Sequence, residues 1–364
     1  MTKQLRLWVW GDAHVGSDLK HGRESLADAL RQSESGDSAG APPFAWDIAI
    51  DIGDMSGGQT VPRDDEGEEL VRQFKVLRNH RREDVYSVCG NHDRSGLREE
   101  PAWWWRKWVD PMGLHTEFSG VHNERRPYPV IGTWERYRFD IGNLTFLMMS
   151  DINEPSQTIG RGDLGGKVGG NPSGVVSGET FAWWQRNVAE SQGRLVISVH
   201  HYMLKDTTVA SGEWEGVRRD EDGNWQNHYH GYKPEGTPRG ASYLYFVDSV
   251  PDAQAFERHL SDHPGSVALW LGGHTHTHPD DTHGGKSHVE TRWGTHFVNC
   301  ACLSRYHGHT NVPKSRLFTF TEGNDHVRVQ CYMHTAEFLP IGWYAAAERT
   351  LTLPRPFLPP GSLK

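Results

Sequence analysis

Five short polar stretches constrain this chain more than any other feature: "GDAH" at 11–14, "GDM" at 53–55, "GNHD" at 90–93, "VHH" at 199–201 and "GGHTHTH" at 272–278. Each closes an apolar run of strand length: "LRLWVW" (5–10), "WDIAIDI" (46–52), "DVYSV" (84–88), "RLVISV" (194–199) and "SVALWL" (266–271). A buried strand does not end on a cluster of Asp, Asn and His unless those side chains hold something. Between the runs lie segments with helical spacing at 25–33, 68–80, 180–191 and 253–263. Strand–helix alternation predicts an α/β fold whose strands deliver their polar ends to one edge, where such sheets bind ligands. The tail, with "HFVNCACL", "RLFTFT" and "HVRVQCYM", adds strands without intervening helices.

Composition narrows the partners. At 36% apolar and 23% charged residues the chain can bury a core. A formal charge of −9 argues against extended nucleic acid or an anionic membrane, both of which call for a basic face. No apolar run reaches the roughly 18 residues of a membrane span, and no signal peptide fits the N-terminus. The four cysteines (Cys89, Cys300, Cys302, Cys331) lack a zinc-type spacing. Reduced thiols in a cytoplasmic protein are the expectation. Three stretches interrupt the alternation, at about 94–140, 159–178 and 202–245, rich in Trp, Gly and polar residues. They are expected to be caps or lids over the site within a single domain spanning 1–364.

The chemistry at the strand ends is that of a transition-metal site. Asp12, His14, Asp54, Asn91, His200, His274 and His276 offer two carboxylates, four imidazoles and an amide oxygen. This donor set suits manganese, iron, zinc or nickel, and the absence of thiolate argues against structural zinc. Seven ligands exceed what one ion takes while leaving room for water. Two ions sharing a carboxylate fit better, about 3.5–4 Å apart as in two-metal hydrolases. A lone DxH or HxH is weak, and each Asp alone reads as a helix cap; all five motifs in order are specific.

The series GDxH, GDx, GNHD, HH, GHxH resembles the calcineurin-like metallophosphoesterases over roughly residues 5–305. The resemblance implies a two-sheet β-sandwich flanked by helices (a four-layer α/β/β/α arrangement) and two divalent or trivalent metal ions. It assigns Asp12, His14 and His276 to one ion, Asn91, His200 and His274 to the other, and Asp54 to a bridge between them. The family uses the first His of the HH pair, which leaves His201 to face substrate or to pack. His92 would face the substrate as the catalytic group, with Asp93 behind the loop and Arg94 near a phosphate. The implied reaction is hydrolysis of a phosphoester by a metal-bridging hydroxide attacking phosphorus in line.

The chain also departs from its relatives. Protein phosphatases continue the second motif as GDxxDRG, whereas here it runs "GDMSGGQ". A small organic or nucleotide phosphodiester is therefore the expected substrate. A phosphomonoester is the alternative within the same fold. A catalytically inactive binding scaffold is the alternative of another class, and scaffolds typically lose ligand histidines that this chain keeps.

Overall fold

The computed structural model describes residues 2–57, 62–94, 103–152, 174–212, 218–219, 225–226, 243–248, 250–300, 302–305, 312–335 and 341–362. Two seven-stranded mixed sheets form its centre. The first runs, strand beside strand, Gly342–Trp343, His326–Met333, Lys314–Thr321, Gln4–Trp10, Ile48–Asp51 and Val85–Ser87, with Arg349–Thr352 also paired to His326–Met333. The second runs Val289–Arg292, Thr295–Asn299, Leu269–Gly272, Leu195–Val199, Leu144–Met149, Arg136–Ile141 and Ile131–Gly132. Gln4–Trp10, Ile48–Asp51 and Val85–Ser87 are parallel, as are Leu144–Met149, Leu195–Val199, Leu269–Gly272 and Thr295–Asn299.

Alternation along each strand splits the apolar residues into layers. Leu5, Leu7 and Val9, with Ile48 and Ile50, meet Ile197, Val199, Leu269 and Leu271 between the sheets. Trp8, Trp10 and Ala49 point outward onto the helices Ser25–Ser35 and Asp64–Phe74 through Leu26, Leu30, Leu70 and Phe74. On the far side Leu147, Val196 and Trp270 pack on Trp184, Phe256 and Leu260 from the helices Gly178–Glu190 and Ala255–Asp262. Helix, sheet, sheet, helix is the layered α/β architecture that the resemblance implied. The helix Gly178–Glu190 starts where it does because the Ser177 hydroxyl accepts the Thr180 amide, at 3.1 Å.

The interruptions are partly built into this frame. Arg136–Ile141, at the end of the first, is a strand of the second sheet, with Tyr137, Phe139 and Ile141 buried. Trp104 and Trp105 are buried in the outer layer of the first sheet, where the Trp104 indole donates to the Arg63 carbonyl at 2.8 Å. Gly174–Val176 and Leu244–Val247, from the ends of the other two, pair in parallel. Residues 159–173 and most of 213–242 lie outside the described residues. All four cysteines are buried free thiols. No helix among the described residues is long and apolar enough to cross a membrane.

Candidate metal centre

The motifs follow the carboxyl ends of parallel strands in both sheets, and the loops bend sharply there. Asp12, His14, Asp54, His274 and His276 all have positive φ, between 43° and 69°. Residues with a Cβ adopt this conformation at a cost of about 1–3 kcal/mol each, and such strain gathers at functional sites. The turns are held by backbone bonds between strands, such as the Asp12 amide to the Gly53 carbonyl (2.8 Å) and the His14 amide to the Asp54 carbonyl (3.0 Å). Gly90 is dictated by contact, because a Cβ there would stand 2.3 Å from Asp54 Oδ1.

Three overlapping groups of donors result, each with its ligand atoms within 4.8 Å of one another: Asp12–His14–His276, His14–Asp54–His92 and Asp54–His201–His274. In the first, His276 Nε2 lies 2.6 Å from Asp12 Oδ1 and 3.2 Å from His14 Nε2. In the third, His201 Nε2 lies 3.2 Å from Asp54 Oδ2, 3.1 Å from Asn91 Oδ1 and 3.3 Å from His274 Nδ1. His274 Nδ1 is in turn 3.1 Å from Asn91 Oδ1. Every one of these residues is at least 95% buried.

The donor set meets a test for cations. His14 Nδ1 donates to the Ser56 carbonyl at 3.0 Å, and His201 Nδ1 donates to the Ile52 carbonyl at 2.8 Å. In a neutral ring each therefore turns a lone pair, on Nε2, toward the centre. Carboxylate, amide and imidazole acceptors then face one another out of water, which is unfavourable until protons or metal ions stand among them. In the metal-free protein protons take that part. Burial opposes charge on His201, yet the Asp54 carboxylate outweighs it and pushes the imidazole up to about 10. Burial likewise works to raise Asp12 and Asp54, but His276 holds the first carboxyl below its usual range, and His201 with His92 holds the second well below. The residues fit divalent metal ions.

Among the expected ligands, Asp12, His14, Asp54, Asn91, His274 and His276 are brought together. His200 is not, and here the expectation is corrected. Leu195, Ile197 and Val199 face the inter-sheet core, so His201, the next residue of that parity, continues toward Asp54. His200 shares the opposite face with Val196 and Ser198, whose hydroxyl accepts the Trp184 indole; its Nδ1 accepts the Tyr202 amide at 3.0 Å. His92 stands beside His14, ring centroids 4.9 Å apart, with Nε2 at 3.9 Å from Asp54 Oδ2. Asp93 lies behind the loop: its carboxylate accepts the amides of Asp54 (2.9 Å), Ser56 (2.8 Å) and Gly90 (2.8 Å). Burial, then the Asp54 charge, pushes it up to about 7. The Arg94 guanidinium donates to the Ile152 carbonyl and lies over Trp134.

Two supporting residues escaped the sequence reading. Ser56 orients His14 through its carbonyl, and its hydroxyl donates to the His92 carbonyl at 2.8 Å. Asp51 is fully buried and takes the Gly53 amide at 3.1 Å, bracing the turn before Asp54. Ser56 acts largely through its backbone, which leaves no spacing signal. Asp51 was visible as a second carboxylate in "IAIDIGD", at a position where a strand interior is otherwise apolar.

No family model and no curated protein matches the sequence. Thirty solved chains resemble the structure. One is a conserved uncharacterized protein, a predicted phosphoesterase, from Streptococcus pneumoniae TIGR4 (10% identity, 97% of this chain and 99% of that one, TM-score 0.35). Another is GAP50, the anchor in the inner membrane complex of Plasmodium (10% identity, 97% and 90%, TM-score 0.45). A third is a metallophosphoesterase from Sphaerobacter thermophilus (12% identity, 91% and 84%, TM-score 0.26). These likenesses are distant; the functional reading stands on the side chains themselves.

Proposed function

We propose that the chain is a metal-dependent phosphoester hydrolase with a two-ion centre, acting on small phosphodiesters. The observation that carries this is the convergence of buried donors from both sheets, with Asp54 common to two of the three groups. Asp12, His14 and His276 would hold one ion, Asn91, His201 and His274 the other, and Asp54 would lie between them. Ions bound there would supply Lewis acidity toward the phosphoryl oxygens and a water nucleophile at neutral pH.

The remaining work falls to the protein. The imidazoles of His14 and His201 are pinned by the Ser56 and Ile52 carbonyls, so their Nε2 lone pairs need no reorientation when ions enter. His92 takes no place in either ligand set. Its amide donates to Asp54 Oδ1 at 2.7 Å, which fixes the loop and leaves the ring to hold a proton at the leaving oxygen or on a phosphoryl oxygen. A net charge of −9 supports a small substrate over an extended nucleic acid, and the cytoplasm is the compartment proposed for it.

The test compares bis(4-nitrophenyl) phosphate with 4-nitrophenyl phosphate, with manganese, zinc, nickel and iron supplied in turn to chelator-treated protein. Metal-dependent turnover with the diester preferred is the expected result, with His92→Ala losing about 100-fold or more in kcat at unchanged metal content. Turnover that survives metal removal would overturn the reading, and a monoester preference would reverse the substrate assignment.

A further inference from the structure

Histidine and threonine alternate through "HTHTH" at 274–278. His274 and His276 reach the donors of the metal centre, at Asn91 and Asp12. Thr275 and Thr277 are buried too, but reach a different set of side chains. Thr275 Oγ1 accepts the Asn299 side-chain amide at 2.7 Å and lies 3.3 Å from Thr277 Oγ1. Thr277 Oγ1 is 2.8 Å from His288 Nε2, and the Thr277 carbonyl accepts Lys314 Nζ at 2.6 Å.

These partners stand on or beside regular strands. Asn299 ends the strand Thr295–Asn299, level with Gly272 of Leu269–Gly272. His288 directly precedes Val289–Arg292, and its carbonyl accepts the Asn299 amide at 2.9 Å. Lys314 opens a strand of the first sheet. The loop is therefore gripped from both sheets. Burial, followed by the charges of Lys314 and Arg316, pushes His288 well below 6.5, so a neutral ring is there to accept on Nε2. A chain then runs from the Asn299 amide through the Thr275 and Thr277 hydroxyls to His288, in which each hydroxyl accepts once and donates once. The histidines between these threonines carry the strain: φ is 69° at His274 and 51° at His276. Backbone of that kind persists only where its surroundings over-determine it.

We propose that Thr275, Thr277 and Asn299 are positioning residues of the metal centre: their hydrogen-bond chain holds the turn from which His274 and His276 present their imidazoles. The inference rests on the metal-centre reading and not on the identity of the substrate. Threonine suits both places because its hydroxyl accepts and donates at once, on a short branched side chain with few rotamers. Valine has the same shape without the hydroxyl, so it breaks the chain while filling the space.

Cobalt(II) titrated into chelator-treated full-length protein tests this, read by visible absorption, which follows coordination geometry, and by competition with a chromophoric chelator. Thr275→Val and Thr277→Val are expected to bind cobalt about tenfold or more weakly and with a shifted spectrum, while Thr275→Ser keeps the affinity and spectrum of the parent. Asn299→Ala breaks the chain at its other end and is expected to weaken cobalt by the same order, a reading that stands if a valine variant does not fold. Variants that melt earlier yet keep the parent's cobalt affinity and spectrum would overturn the proposal, as would equal losses in Thr275→Ser and Thr275→Val. A parent that binds no cobalt would overturn the metal-centre reading itself, and this inference with it.

Discussion

Adjacent histidines at the end of one strand have opposite fates, and parity decides between them. His201 continues the inward series of Ile197 and Val199, while His200 continues the outward series of Val196 and Ser198. His201→Ala is therefore expected to lose bound metal and about 100-fold or more in activity. His200→Ala is expected to keep its metal, measured by elemental analysis of the purified proteins, and to show its cost in thermal stability. The opposite pattern would return the ligand to His200. At Gly90 the constraint is steric. A Cβ there would stand 2.3 Å from Asp54 Oδ1 and 2.4 Å from the Asp54 amide nitrogen, so Gly90→Ala must shift the turn that carries Asp54 and should hold less metal, a loss seen in the same analysis. The types and order of the converging side chains were legible in the sequence because each motif places several polar groups directly after a strand. The choice within "HH" was not. Parity can be counted from Ile197, but which parity faces the other sheet becomes visible only when the sheets are stacked.

Strands and helices were legible where period and length agreed, as in Gln4–Trp10 and Ser25–Ser35. The helix expected from the apolar spacing at 68–80 forms earlier, at Asp64–Phe74, with three acidic residues in its first turn. "RYRFDI" alternates as a strand should but sits in a Trp- and Pro-rich neighbourhood that reads as loop; its strand character comes from pairing with Leu144–Met149. Contacts between elements also set a pH dependence. His334, just past the His326–Met333 strand, donates through Nδ1 to Gln32 of the Ser25–Ser35 helix (2.7 Å) and takes the Ser315 hydroxyl on Nε2 (2.8 Å). Burial pushes this imidazole down from 6.5 to about 3. Between those values the unfolded chain binds a proton that the folded one refuses. The stability His334 confers is thus complete above pH 6.5 and falls by about 1.4 kcal/mol per pH unit as the pH drops toward 3. Denaturant titrations at pH 7, 6 and 5 should show stability falling with pH, and His334→Gln should reduce the slope by up to about one proton. An unchanged slope in the variant would assign the dependence to other groups.

At the scale of the molecule, the centre is a joint. Asp12, His14, Asp54, Asn91 and His92 follow strands of the first sheet, whereas His201, His274 and His276 follow strands of the second. Each proposed ion takes ligands from both. The sheets otherwise meet through the apolar layer of Val9, Ile50, Val199 and Leu271, which is non-directional and tolerates small sliding. Metal ions impose a direction, drawing ligands of both sheets onto common centres. Ion binding should therefore stabilise the whole sandwich and not its loops alone. At a free metal concentration 100 times the dissociation constant, one site contributes about 2.7 kcal/mol. Chelation is expected to lower the melting temperature in a single cooperative transition, and manganese or zinc to restore it. Asp54→Asn, which weakens the carboxylate common to both proposed ligand sets, should show little of that recovery. Hydrogen exchange locates the effect: protection gained on metal addition should extend along Gln4–Trp10 and Leu195–Val199, one strand from each sheet. Protection confined to the loops at 11–14 and 272–278 would mean that the ions fill a site the two sheets had already closed without them.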